Sequence, residues 1–260
     1  MQEGNSRTIS RRQSFRVGAG VVVTAGTLLG IDLGSMSESD AQERLGHHKP
    51  VEITSHNADT LVQIRKSKGV HSIELDISQL KDRALVGAHA TKDFLSLHAT
   101  DQEQQYPPIL LHEIRQIGAI PMVDVKNIEH AESFAEYLMQ ESQNGFLKVC
   151  TPHHWFLERL DNMGFNGQML FTLIDQKDVS SFKRSIMGKK SKKGSFGVSV
   201  NDEVYTKNDA RLFEEAKLHR LVWTPSTPIR VLEVLLKGTD GITTDNIPLL
   251  MSVGEKLKAA

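Results

Sequence analysis

Short apolar runs alternate with longer segments of helical period from residue 51 to the end of the chain. Apolar residues that recur every three or four positions between the runs are typical of amphipathic helices, and the runs themselves have the length of strands. The candidate strands are residues 51–55, 72–77, 120–125, 147–150, 169–174, 196–200, 221–224 and 241–244. Helical periodicity extends over residues 61–68, 131–141, 155–163, 209–218 and 229–237.

This alternation predicts parallel strands that are joined by helical crossovers. Eight repeats in about 200 residues favour a single-domain α/β fold of the (β/α)8 TIM-barrel type, and an open doubly wound sheet is the alternative. A further run over residues 84–88 follows the second strand too closely for a helix to intervene. It therefore predicts a hairpin extension and not a barrel strand.

The amino-terminal pattern is different. Four arginines lie within residues 7–16 and precede an uncharged apolar stretch over residues 17–31. A basic region followed by an apolar region is typical of an export signal, and this one is too short to span comfortably a bilayer core of roughly 30 Å. Residues 10–15 resemble a twin-arginine signal.

We therefore expect a signal peptide or membrane anchor over residues 1–34, a linker over residues 35–49 and the barrel over residues 50–260. The protein would then be exported to the periplasm, the cell exterior or a membrane surface. The alternative is a cytoplasmic protein in which the same segment forms a basic arm and a helix.

Composition limits the function classes. The chain has 260 residues, of which 39% are hydrophobic and 24% charged, and this excludes a disordered or polytopic membrane protein. A net charge of -1 gives no general attraction to nucleic acid. One cysteine, Cys150, excludes an internal disulfide and a cysteine-based zinc site such as a zinc ribbon, and its apolar neighbours predict a small buried side chain.

Candidate catalytic groups follow the predicted strands, because chemistry in a TIM barrel collects at the carboxyl ends of its strands. The residues that the sequence places there are His56, Glu74, Asp76, His89, Asp124, Lys126, Trp223 and Asp245. The other histidines, His153 and His154 among them, have no comparable setting and are predicted to be exposed or structural.

Three acids suggest a metal site. Glu74 and Asp76 are two residues apart, so both point to the same face of a strand, and Asp124 follows on the next predicted barrel strand. Three carboxylates form a hard oxygen set that suits Mg²⁺ or Ca²⁺ better than zinc. The imidazoles of His56 and His89 are suited to proton transfer near neutral pH.

Several motifs occur in a recognisable order. They are SHN at residues 55–57, GVHSIELDI at 69–77, LVGAH at 85–89, VDVK at 123–126, LVWT at 221–224 and GTDGITTD at 238–245. Together they resemble the glycerophosphodiester phosphodiesterase family and the wider phosphatidylinositol-phospholipase-C-like superfamily. The resemblance covers residues 51 to about 250, and the chain looks like a divergent member.

The resemblance implies a phosphodiester hydrolase that acts on a glycerophosphodiester or a phospholipid headgroup. Its catalytic residues would be His56 and His89, which act as general acid and base. One divalent cation, Mg²⁺ or Ca²⁺, would be held by Glu74, Asp76 and Asp124, and the substrate would be contacted by Asn57, Lys126 and Trp223.

Departures from the family pattern leave two alternatives open. His56 is followed by Asn57 where the family usually has Arg, so the bidentate grip on a phosphate oxygen is absent. The alternatives are a sphingomyelinase D-like or lysophospholipase-like enzyme that releases a cyclic phosphate, and an inactive barrel that binds a phosphorylated ligand.

A basic segment over residues 183–193 stands apart from these motifs. It carries six lysines and arginines, Lys183, Arg184, Lys189, Lys190, Lys192 and Lys193. The segment predicts either a solvated loop or a contact with an anionic membrane surface.

Overall fold

The computed structural model of the chain describes residues 37, 39–40, 51–56, 58, 60–79, 84–87 and 106–248. The predicted signal segment, linker and extreme carboxyl terminus therefore lie almost entirely outside the described residues. Within them, no helix is both long and apolar enough to cross a bilayer.

Strands in the described regions form one closed sheet. Their bounds are β1 Glu52–Ser55, β2 Ser72–Gln79, β3 Leu85–Gly87, β4 Ile120–Asn127, β5 Lys148–Thr151, β6 Gln168–Leu173, β7 Ser195–Asn201, β8 His219–Trp223 and β9 Gly241–Thr244. The sheet order is β1-β9-β8-β7-β6-β5-β4-β2-β3, and β1 also pairs with β2. Eight of these described strands are parallel and form a barrel, which confirms the predicted fold and excludes the open sheet.

Strand β3 is the exception. Among the described strands it pairs only with β2, and the pairing is antiparallel, with Ile77 opposite Gly87 and Gln79 opposite Leu85. The predicted hairpin extension is therefore confirmed.

Helices surround the sheet. In the described regions they are α1 Leu61–Lys66, α2 Pro107–Gln116, α3 Ala131–Gln143, α4 His154–Met163, α5 Gln176–Ser185, α6 Lys207–Glu215 and α7 Pro228–Lys237. Two of them, α2 and α5, lie where the apolar periodicity gave no prediction. Both helices begin at residues that favour a helix start. Two prolines occupy the first turn of α2, and Asp175 and Asp178 form a capping box at the start of α5.

The barrel strands bury both of their faces. On β2, Ile73, Leu75 and Ile77 belong to the large core between sheet and helices. The alternating polar residues of β2 therefore face the interior of the barrel, which we call the lumen. A second buried cluster of Met122, Cys150, Leu170 and Leu221 comes from β4, β5, β6 and β8 and lies inside this lumen.

The amino-terminal end of the lumen holds a charge cluster centred on Glu52. Its carboxylate pairs with Lys148 and accepts a hydrogen bond from Ser72, and Nε2 of His219 lies 3.3 Å from Oε2. Burial alone would raise the pKa of Glu52, but its contacts with His219, Lys148 and Ser72 outweigh this effect and lower the pKa far below its ordinary value. The cluster joins β1, β2, β5 and β8 across the barrel.

Candidate active site

The three predicted acids meet at the carboxyl end of the lumen. Glu74, Asp76 and Asp124 are each at most 2% exposed, and Asp76 lies directly opposite Asp124 in the pairing of β2 with β4. The two-residue period of β2 places Glu74 one step below Asp76 on the same face. The structure therefore brings the predicted metal ligands together.

Lys126 is an intrinsic cation of this site. Its Nζ lies 3.0 Å from Oδ1 of Asp76, and it also forms an ion pair with Asp124. The side chain is 11% exposed, so the two pairs are largely screened from water. The predicted phosphate contact thus lies beside the acids, where it offsets part of their negative charge.

A donor cluster lies deeper in the lumen. One ligand atom each from Glu74, Asp124 and Cys150 lies within 4.8 Å of the other two, and all three residues are buried. Two carboxylates at this separation form a set that fits a divalent cation. Cys150 was predicted from the sequence to be a small buried side chain and received no role at the metal site.

His56 has an acidic partner that is distant in the sequence. Its Nδ1 lies 2.9 Å from Oδ1 of Asp245, and its backbone N donates to the carbonyl of Thr244 at 3.2 Å. The imidazole side chain is 7% exposed, whereas the Asp245 side chain is 72% exposed. A proton on Nδ1 that is donated to Asp245 leaves the lone pair on Nε2, which is the arrangement that a general base requires.

Asp245 was noted in the sequence as the end of the eighth strand but received no role. The signal that would identify its role is closure of the barrel, since β9 and β1 are neighbours only in the closed sheet.

Trp223 ends β8 at the carboxyl end of the lumen, which we call the mouth, and is 7% exposed. It lies opposite Thr243 and Asn201 in the sheet, and its role as the wall of a pocket stays a prediction. The peptide bond between Trp223 and Thr224 is cis.

His153 also lies close to the site, although the sequence predicted an exposed or structural side chain. It follows β5, and burial lowers its pKa, against the opposing effects of a hydrogen bond with the Lys126 backbone and of the charge on Asp124. A neutral imidazole is therefore favoured at the edge of the acid cluster.

Two predicted site residues, His89 and Asn57, lie outside the described residues. Their placement relative to His56 and the acids stays a prediction.

The basic segment lies at the opposite end of the barrel. It connects α5 to β7, so it borders the amino-terminal ends of the strands. Several of its side chains are already paired: Lys183 with Asp209, Lys189 with Glu158, and Lys192 with Asn162. A surface bound there would face away from the acid cluster.

Comparison with solved structures identifies the architecture. The chain superposes on the phosphodiesterase of Oleispira antarctica, solved in complex with the product sn-glycerol-3-phosphate, with a TM-score of 0.62 and 12% identity over 78% of this chain and 96% of that one. The chain has the glycerophosphodiester phosphodiesterase fold.

Two further structures with this glycerophosphodiester phosphodiesterase fold agree. The enzyme of Thermotoga maritima matches with a TM-score of 0.56 and 16% identity over 80% of this chain and all of that one. The enzyme of Agrobacterium tumefaciens matches with a TM-score of 0.59 and 13% identity over 79% of this chain and all of that one. No protein-family model matches the chain, and no curated protein matches it in sequence.

Proposed function

We propose that the protein is a phosphoric diester hydrolase of the glycerophosphodiester phosphodiesterase type. The observation that carries this proposal is the His56–Asp245 pair beside the buried acids Glu74, Asp76 and Asp124, all at the carboxyl end of a barrel. The glycerol-3-phosphate in the Oleispira structure supports a glycerophosphodiester as the substrate class.

The chain's own residues supply proton transfer and positioning. Asp245 orients the His56 ring, and Nε2 of His56 either accepts a proton from the attacking oxygen or donates one to the leaving alcohol. His89 is the candidate for the complementary proton transfer. Lys126 and Asn57 would contact phosphate oxygens, and Trp223 would form an apolar wall beside the glycerol group.

A divalent cation fits the same mouth. Glu74 and Asp124 would hold it, with Asp76 and Lys126 as their neighbours. When bound, such an ion supplies positive charge that stabilises the phosphoryl oxygens.

The geometry favours a small, freely diffusing diester over a headgroup in a bilayer, because the basic segment borders the wrong end of the barrel to hold the mouth against an anionic surface. A product that stays cyclic is the second candidate, and phosphorus NMR separates a cyclic phosphate from a monoester.

The test is hydrolysis of glycerophosphocholine by the purified chain, with and without a chelator. We expect hydrolysis that the chelator abolishes, and a loss of about 10²- to 10⁴-fold in His56→Ala, because a general acid or base typically contributes that much. His112→Ala is the matched control, since His112 is exposed on α2. Full activity in His56→Ala would exclude this mechanism, and inactivity of the unmodified protein would favour the ligand-binding barrel.

Export remains part of the proposal. Residues 1–49 fused to a reporter that is active only outside the cytoplasm should give signal, and a lysine pair in place of Arg11 and Arg12 should abolish it if the twin-arginine route is used. A silent fusion with intact arginines would favour the cytoplasmic alternative.

A further inference from the structure

Cys150 points into the barrel and not into the core beneath the helices. Its neighbour in the chain, Val149, packs in the outer core, whereas Cys150 belongs to the lumen cluster with Met122, Leu170 and Leu221. The thiol is 1% exposed. It lies on the side of this apolar layer that faces the carboxyl end of the barrel, next to the acids.

The strand register explains why the thiol and two acids meet. Asp124 is directly opposite Cys150 in the pairing of β4 with β5. Strand tilt in a barrel staggers successive strands, so that alternate strands contribute side chains to one layer. This stagger places Cys150 at the level of Glu74, and the three donor atoms lie within 4.8 Å of one another.

A second observation at this level points to a ligand. Thr243 is fully buried, and its hydroxyl has no hydrogen-bond partner among the residues of the described regions. Ile242 belongs to the outer core, so Thr243 faces the lumen, and the stagger places it in the layer of Glu74 and Cys150. A buried hydroxyl without a partner is unfavourable, so this layer is suited to a polar occupant that the hydroxyl can contact.

We propose that Cys150 joins Glu74 and Asp124 as a direct ligand and that its thiolate selects a softer divalent cation, such as Zn²⁺, over Mg²⁺ or Ca²⁺. The three carboxylates alone predict a hard ion, and the structure adds a sulfur to the donor set. The inference rests on the proposed function only in that both use the same mouth.

The chemistry of the donors supports this choice. Thiolate sulfur binds Zn²⁺ and Co²⁺ well and Mg²⁺ and Ca²⁺ poorly. Tetrahedral zinc with ligand distances of about 2.0–2.3 Å holds its donors roughly 3.3–3.8 Å apart, so the three donor atoms, which lie within 4.8 Å of one another, would move together by at most about 1.5 Å. Three protein donors are also the number typical of catalytic zinc sites. The thiol proton passes to solvent when the metal binds, and no redox step is involved.

The test is a titration of the purified metal-free chain with Co²⁺, followed by absorption spectroscopy. Co²⁺ bound to a thiolate gives an intense near-ultraviolet charge-transfer band, and Cys150 is the one cysteine in the sequence, so the band has a single assignment. We expect the band in the wild type, its displacement by Zn²⁺, and no displacement by an equal concentration of Mg²⁺.

Variants sharpen this reading. Cys150→Ser should lose the band and bind Zn²⁺ at least about tenfold more weakly, since even an indirect contact to a metal typically contributes that much. Leu170→Ile is the matched control, because it changes packing in the same cluster but removes no donor, and it should keep both properties.

Co²⁺ binding without a thiolate band in the wild type would overturn the inference, and this result needs no variant to fold. It would leave the proposed function intact if chelator-sensitive hydrolysis persisted. A thiolate band in a protein that hydrolyses no phosphodiester would have the opposite meaning, since the metal site would stand and the proposed function would fail.

Discussion

Asp245 contacts His56 from a position that is largely open to solvent. The two side chains of this contact differ sharply in exposure: the imidazole is 7% exposed and the Asp245 side chain 72% exposed. An exposed ion pair contributes about 0–1 kcal/mol to stability. Under the proposed function, this pair therefore serves mainly to orient the imidazole.

Removal of the Asp245 charge should consequently affect catalysis more than folding. In Asp245→Asn we expect kcat to fall by about 10- to 100-fold, below the roughly 10⁴-fold known for a fully buried aspartate partner, with little change in KM. Steady-state kinetics and urea unfolding measure the two effects. Asp245 would be structural if the loss in the free energy of unfolding exceeded the rise in activation free energy that corresponds to the fall in kcat.

At the level of single residues, the sequence predicted what a strand's own period reveals. Glu74 and Asp76 share a face because they are two residues apart, and the structure agrees. Cys150 and Asp245 join the site only through the pairing of β4 with β5 and of β1 with β9. Such contacts depend on register across the barrel, which a single sequence does not display.

Among the structural elements, helix α5 shows how local chemistry replaces apolar periodicity. Asp175 accepts from the backbone N of Asp178 at 2.9 Å, and Asp178 bonds back to the Asp175 backbone. Buried residues of this helix are limited to Val179 and Phe182. Its apolar face is therefore too sparse for periodicity to predict.

Loss of this cap should be measurable. Asp175→Ala is expected to reduce the free energy of unfolding by about 0.5–2 kcal/mol, because the backbone N of Asp178 in the first turn of the helix loses its side-chain acceptor. Urea unfolding gives the value. Lys177→Ala, an exposed change in the same helix, serves as control and should stay within about 0.5 kcal/mol of the wild type.

The Glu52 cluster should stabilise the barrel in a way that depends on pH. Lys148→Met leaves a buried carboxylate without its main ion pair, and we expect a cost of about 3–5 kcal/mol in the free energy of unfolding, part of which the double variant with Glu52→Gln should recover.

The lowered pKa of Glu52 also means that its stabilising effect is complete above its ordinary pKa of 4.5 and is lost as the pH falls below that value. Urea unfolding between neutral and acidic pH measures this, and an equally acid-sensitive Glu52→Gln variant would contradict it.

At the scale of the whole molecule, the two ends of the barrel have different chemistry. The acids and His56 lie at the carboxyl end, and the basic segment over residues 183–193 lies at the amino-terminal end. Charge composition alone gave no indication of this separation, because the position of a loop depends on which end of a strand it joins.

A triple variant tests the separation. Lys190→Ser, Lys192→Ser and Lys193→Ser together should leave kcat and KM for a soluble glycerophosphodiester unchanged within about twofold, because these exposed side chains are remote from the mouth. Hydrolysis of a lipid-anchored diester in anionic vesicles should be affected no more than hydrolysis of the soluble one. A selective loss of the vesicle reaction would restore the membrane interpretation of the segment.

The apolar layer of Met122 and Leu170 with Leu221 has a consequence for how such a protein changes over time. Among the described residues, these apolar side chains lie in the lumen between the acids at the mouth and the Glu52 cluster. Residues at the mouth can then be substituted to suit a different ion or a different ester, while the Glu52 cluster continues to hold the strands in register. A barrel divided in this way can acquire new chemistry at one end without first gaining stability at the other.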